Sequence, residues 1–139
     1  MQVTILDNKT GANQLTASAA GAVIDMSNIS GTFVLFIDVT AIDGGNQTLD
    51  AKIQVSPDNT VWGDLEIAFT SNTKFTPTFT QITAAGQKTL MVAGLLPVKY
   101  MRIYYTLAGD EGVWATFYTY IITTTSEEHN LGRIIRSVE

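Results

Sequence analysis

The chain contains no cysteine, so neither a disulfide frame nor thiolate chemistry is open to it. That fits a reducing cytoplasm. Its one histidine, His129, stands beside Glu127 and Glu128 near the C-terminus. No Ser-His-Asp or Cys-His set can be assembled from it, and it reads as a solvated residue. Charged residues make up 15% of the chain, against about 25% in ordinary soluble domains. The eight basic residues are scattered from Lys9 to Arg136 and the net charge is -5. Nucleic acid is therefore not an expected partner, because a phosphate-binding groove needs clustered Lys and Arg. No apolar run approaches the roughly 20 residues of a membrane helix. The opening MQVTILDNKTGANQ lacks the basic start and apolar run of a signal peptide. No membrane partner is expected.

Motifs for chemistry are also scarce. Gly44-Gly45 has no Lys-Ser/Thr and no helix after it, so it is no phosphate loop. Asp43 to Asp50 is rich in oxygen but lacks the spacing and distal Glu of a calcium loop. A mechanism using carboxylates alone needs two acids in one cleft. Asp43, Asp50, Asp58, Asp64, Glu66, Asp110 and Glu111 fall mostly at turns, where Asp is favoured for local hydrogen bonds. No catalytic residue, metal or cofactor is expected, and a hydrolase is disfavoured.

What the chain does have is strand pattern. Its 139 residues are enough for one domain with a real core. Phe33 to Thr40 is apolar on both faces in its first half and reads as a central, buried strand. Leu49, Ala51, Ile53 and Val55 alternate with Asp50, Lys52, Gln54 and Ser56, the mark of a half-buried antiparallel strand. Trp62 to Thr70, Phe75 to Thr83 and Lys88 to Ala93 are further candidates. Tyr100 to Leu107 and Val113 to Thr123, joined across Gly109 to Gly112, read as a hairpin. With Val3 to Leu6 and Ala22 to Met26 the total is about eight to ten strands. The expectation is an all-β antiparallel sandwich, jelly-roll-like, over residues 22–123. Residues 1–21 read as an extended N-terminal arm, because 7–21 are small and polar. Residues 124–139 read as a C-terminal tail. In it Leu131, Ile134, Ile135 and Val138 fall at i, i+3, i+4 and i+7, a helical stripe. A helix this short needs something to dock on, either its own domain or a neighbouring subunit.

Two features could carry function. Ser56-Pro57-Asp58-Asn59-Thr60-Val61-Trp62 resembles the Asp-box hairpin of sialidase propellers, but it lacks the Gly, is one residue short and occurs once. Pro57 presets φ, Asp58 can accept backbone N–H bonds, and Trp62 can fold over the hairpin to cover the core edge. Trp62 could otherwise stand exposed for stacking on sugar. The second feature is aromatic. Tyr100, Arg102 and Tyr104 share one face of a strand, and Trp114, Tyr118 and Tyr120 share one face of the next. On neighbouring strands they would form one surface, which could be core, subunit interface or sugar platform.

Four segments in order carry a resemblance: Ala51 to Asp58 (AKIQVSPD), Trp62 to Leu65 (WGDL), Phe79 to Thr83 (FTQIT) and Leu96 to Ile103 (LPVKYMRI). Together, over about residues 32 to 122, they resemble a module of tailed-bacteriophage virion proteins. The resemblance implies small, often trimeric β-sandwich proteins of the capsid exterior, called decoration or cement proteins. It implies the major capsid protein as partner, and a place on the outer capsid surface after synthesis in the host cytoplasm. It supplies no catalytic residues. Related modules occur in other virion components, so a carbohydrate- or receptor-binding module of a tail or fibre is the alternative. The candidate interface comprises Tyr100, Arg102, Tyr104, Trp114, Tyr118 and Tyr120 with the tail residues Leu131, Ile134, Ile135 and Val138.

Overall fold

A computed structural model describes residues 1–29, 31–70, 73–92, 98–110 and 112–123. Its strands are β1 (Gln2–Lys9), β2 (Ala19–Ala20), β3 (Ile24–Asp25), β4 (Phe33–Ile42), β5 (Thr48–Ser56), β6 (Gly63–Asp64), β7 (Ile67–Thr70), β8 (Thr73–Phe75), β9 (Gly86–Val92), β10 (Tyr100–Ala108) and β11 (Ala115–Thr123). The four-stranded sheet runs β1-β11-β4-β9. In the five-stranded sheet β10 lies between β5 and the short pair β2 and β3, with β6 beyond β5. All these pairings are antiparallel. Taking β2 and β3 as one interrupted strand, the chain crosses between the sheets in jelly-roll order, and the fold is an all-β sandwich as expected. A separate small hairpin joins β7 to β8.

Alternation drives the assembly. Leu35, Ile37 and Val39 of β4, Leu49, Ala51 and Ile53 of β5, Met101, Ile103 and Tyr105 of β10, and Ala115 and Phe117 of β11 all point inward and are buried. The far edge of β5 is covered in relay. First come Gly63 and Asp64, and then the bridges of Thr78 to Lys52 and Ile82 to Leu49. The stretches Trp62 to Thr70 and Phe75 to Thr83, expected as full strands, are broken into short pieces: β6, Thr78 and Ile82 patch the β5 edge, while β7 pairs with β8 apart from it.

The expected hairpin between the last two strands is not formed. β10 belongs to the five-stranded sheet and β11 to the four-stranded one. The connection arches across the end of the sandwich, and the inner faces of the two strands meet through the core. The Tyr105 and Phe117 rings stand 4.8 Å apart at 55°. A period of two specifies which side chains face inward, but a hairpin and an inter-sheet arch satisfy it equally.

Residues 1–21 are extended apart from a 3-10 turn at Gly11–Asn13, but they do not stand off as an arm: they are paired within the sandwich. β1 lines β11 from Gln2 to Lys9, Leu15 is buried and bridges Ala115, and Ala19 and Ala20 pair with β10. The poverty in large side chains reflects close passage along sheet edges. At Gly21 an added Cβ would lie 2.3 Å from Asp7 Oδ2.

Asp7 is itself the unusual core residue, only 7% exposed. The register of β1 shifts between Ile5 and Asp7, and a bulge of this kind re-aims the side chain. The carboxyl of Asp7 accepts from the Tyr105 hydroxyl at 2.6 Å and from the Ala22 N–H at 2.9 Å. The Thr119 hydroxyl donates to it at 3.2 Å and lies 3.0 Å from the Tyr105 hydroxyl. Burial first, and then the charge of Asp7, raise the Tyr105 phenol far above the usual tyrosine range, so it stays a donor. Tyr105→Phe should lower the unfolding free energy by about 1–3 kcal/mol, because it removes a buried donor. Gly21→Ala should cost about the same through overpacking. Urea titration of both variants checks this; unfolding midpoints equal to that of the parent would show that the network does not fasten the fold.

Candidate functional site

The two outer faces of the sandwich hold the exposed aromatic residues, and the candidate set is divided between them. Tyr100, Arg102 and Tyr104 lie half-buried on the outside of the five-stranded sheet. Tyr118 and Tyr120 lie half-buried on the outside of the four-stranded sheet. Trp114 precedes β11, and its carbonyl accepts from the Asp43 N–H at 3.0 Å. The single aromatic surface expected from the sequence is thus two surfaces on opposite sides. They separate because β10 and β11 occupy different sheets. Leu131, Ile134, Ile135 and Val138, with His129, lie outside the described residues.

On the five-stranded side the Ser56 turn is the organising element. The Ser56 Oγ is buried and accepts from the N–H groups of Asp58 (3.3 Å) and Asn59 (2.9 Å). Asp58 Oδ1 in turn accepts from the N–H groups of Thr60 and Val61, each at 2.9 Å. Asn59 takes φ 62°, a left-handed conformation that Asn tolerates. The Val61 and Thr60 N–H bonds hold the Asp58 carboxyl below the usual aspartate range.

The turn delivers Trp62 onto Arg102, whose guanidinium lies 4.1 Å from the ring centroid. Trp62 therefore packs on the outer face; the expectation that it covers the core edge is corrected. From there a continuous ladder crosses the sheet. Arg102 Nε donates to Gln54 Oε1 at 2.8 Å, and Gln54 Nε2 donates to Asp64 Oδ1 at 3.1 Å. Lys52 Nζ reaches Asp64 Oδ2 at 2.8 Å and sits 5.5 Å from the Tyr104 ring centroid. Hydrogen bonds from Lys52 and then Gln54 lower the Asp64 pKa. The strand register makes this possible, since Arg102 lies opposite Gln54 and Tyr104 opposite Lys52. Alternation puts Lys52 and Gln54 on the polar side of β5, but only the β5–β10 pairing joins them to Arg102.

The four-stranded side is apolar. One row across the strands reads Val3, Ile122, Val34, Met91 and the next reads Ile5, Tyr120, Phe36, Thr89. Val3, Ile5 and Met91 are 54%, 58% and 67% exposed. Tyr120 stacks on Tyr118 at 6.3 Å and meets Phe36 edge-on at 6.0 Å. A shallow depression of about 300 Å³ lies among Val3, Phe36, Asp38, Tyr120 and Ile122. The signal for this face was present in Phe33 to Thr40, apolar on both sides. That pattern predicts a central, buried strand, and β4 is central in its sheet but only half-covered outside.

Among the described residues no three His, Asp or Glu side chains come together as a metal site. Asp50 accepts from Gln81, Asp38 from Gln87, and Glu66 lies 3.9 Å from Lys74. These acids are thus tied to neighbours one by one. A second depression, about 370 Å³, is lined by Val55, Ser56, Pro57, Val98 and Lys99, with no acid.

The Asp58 turn yields a test by pH. Its folded-state pKa is below the ordinary value of 3.8. Its stabilising contribution is therefore complete above the unfolded-state value and is lost as pH falls through the lower folded value. The stability gap between the parent chain and Asp58→Asn, measured by urea unfolding, should be constant near neutrality and should close in acid below 3.8. A gap independent of pH would show that the carboxylate does not secure the turn. In comparisons with known proteins, no family profile matches this chain and no curated protein is significantly similar to it.

Proposed function

We propose that this chain is a structural protein of a tailed-bacteriophage virion, a decoration protein that binds the outer capsid surface as a homotrimer and stabilises the head. The observation that carries the reading is convergence. The first two segments behind the resemblance are neighbours in sequence and form β5 and its turn, and the other two, from farther along the chain, gather beside them. AKIQVSPD supplies Lys52, Gln54 and the Ser56 turn. WGDL supplies Trp62 and Asp64, and the last segment supplies Arg102. FTQIT supplies Ile82, which bridges Leu49, and Gln81, which donates to Asp50.

The resulting face suits a protein partner. Trp, Tyr and Arg are the residues that dominate protein interfaces. Here they are held by hydrogen bonds and a stacked cation, so little side-chain freedom remains to be lost on docking. Its cations are held in place, Lys52 by Asp64 and Arg102 by Gln54 and the Trp62 ring. The trimer addresses a different need. β1 and β9 are the edges of the four-stranded sheet, and open edges invite pairing unless they are covered. Neighbouring copies would cover them, and three weak footholds on one trimer act together through avidity.

The reading predicts a particle of about three times 15.1 kDa by light scattering. That particle should co-sediment with assembled capsids and not with free capsid subunits. Trp62→Ala and Arg102→Ala should each weaken capsid retention about tenfold or more, in the range of interface hot spots, with the circular dichroism of the sandwich unchanged. A monomer that ignores capsids would refute the proposal. If that monomer instead bound immobilised glycans and lost them on Trp62→Ala, the receptor-binding module of a tail or fibre would replace it.

A further inference from the structure

The apolar outer face of the four-stranded sheet is a surface that the described residues leave open. Val3, Ile5 and Met91 are each more than half exposed, beside half-buried Val34, Phe36, Tyr120 and Ile122. A contiguous apolar patch of this kind marks a contact. Among the described residues the polar ladder on the opposite face has no counterpart here: the acid that lines the depression, Asp38, is engaged by Gln87 at 3.0 Å.

We propose that this face is the seat of the chain's own C-terminal segment, with Leu131, Ile134, Ile135 and Val138 laid across the rows of Val3–Ile122–Val34–Met91 and Ile5–Tyr120–Phe36–Thr89. This inference does not rest on the virion reading. Three observations point to the occupant. The first is where the chain leaves the sandwich. Thr123 ends β11, an interior strand of this sheet, and the preceding Ile122 is itself a member of the first row. The segment therefore starts at the border of the patch.

The second is length. Seven residues, 124–130, separate β11 from the stripe, and at about 3.3 Å per residue they reach roughly 20 Å. That is ample to turn back over the sheet. Strands spaced about 4.8 Å apart make the four-stranded face about 14 Å wide, and an eight-residue helix rising 1.5 Å per residue is about 12 Å long. The stripe and the face match in extent.

The third is chemistry. At helical period the four apolar residues form one face and Arg133 and Arg136 fall on the other. The segment can cover an apolar sheet while it keeps its charges in water. A helix of this length is marginal by itself and needs such a support. Tethering by a short linker holds it at an effective concentration of millimolar order, so the chain's own stripe outcompetes one from another copy in dilute solution.

The absence of native cysteine makes a direct test clean. Full-length chains carrying Met91→Cys with Ile135→Cys, or Ile5→Cys with Ile135→Cys, are treated with a short bis-maleimide. A control pair, Gln54→Cys with Ile135→Cys, places the partner thiol on the opposite sheet face. Met91 and Ile5 are exposed, so neither substitution disturbs the core. At least one test pair should cross-link within the chain, at monomer mass, about tenfold faster than the control. Adding Leu131→Asp and Val138→Asp should bring it down to the control rate. Equal rates for both faces would overturn the proposal. Products at dimer mass would also overturn it and would assign the face to a second copy.

Discussion

A single buried carboxyl ties the sandwich together. Asp7 is reached by the hydroxyl of Tyr105 from one sheet, the hydroxyl of Thr119 from the other and the N–H of Ala22 from the connecting segment. It sits on β1, so four separate pieces of chain meet at one group. A polar group taken out of water must have its partners or it costs several kcal/mol. That requirement acts as a constraint of registration. The bulge after Ile5, the bare backbone of Gly21 and the depth of Tyr105 all follow from letting the three donors reach Asp7 together. Apolar burial would tolerate small slides between the sheets, and the hydrogen-bond triangle does not.

With the sheets registered in this way, the outer faces are free to differ. The β5–β10 register sets Arg102 beside Gln54 and Tyr104 beside Lys52, and the Ser56 turn brings Trp62 and Asp64 to meet them. Each rung is worth little alone. An exposed cation–π contact or ion pair contributes about 0.5–1 kcal/mol. The ladder therefore matters less for stability than for shape, because it presents aromatic and cationic groups in fixed positions. The β1-β11-β4-β9 order does the opposite on the other side, aligning Val3, Ile122, Val34 and Met91 into a greasy row. One domain thus carries a patterned polar face and a plain apolar face, and two such surfaces suit two different kinds of contact.

Most of the inward-facing residues were legible from alternation. Leu49, Ala51 and Ile53 are buried and Asp50, Lys52 and Gln54 are not, as period two requires. The exception at the end of that strand is instructive. Val55 is half-buried while Ser56 is buried, because Ser56 turns its hydroxyl to the backbone of the following loop. Asp7 reads as part of a polar arm, since nothing local distinguishes a carboxylate in water from one that accepts three donors inside the fold. The ladder was legible only in fragments, since its members come from three regions of the chain.

The sequence by itself determined the strand class, the inward set of each long strand and the Ser56–Asp58 turn. All of these are local, set by side-chain period and by hydrogen bonds between residues two or three apart. Only the tertiary structure decided that β10 and β11 face each other across the core and do not pair. It alone divided Tyr104 from Tyr118, seated Trp62 on Arg102, and gave Asp7 its partners 15 to 112 residues away. The physical reason is that alternation marks the face of a strand but carries no record of its neighbour. Choosing the neighbour takes the packing of both sheets and the satisfaction of every buried polar group at once.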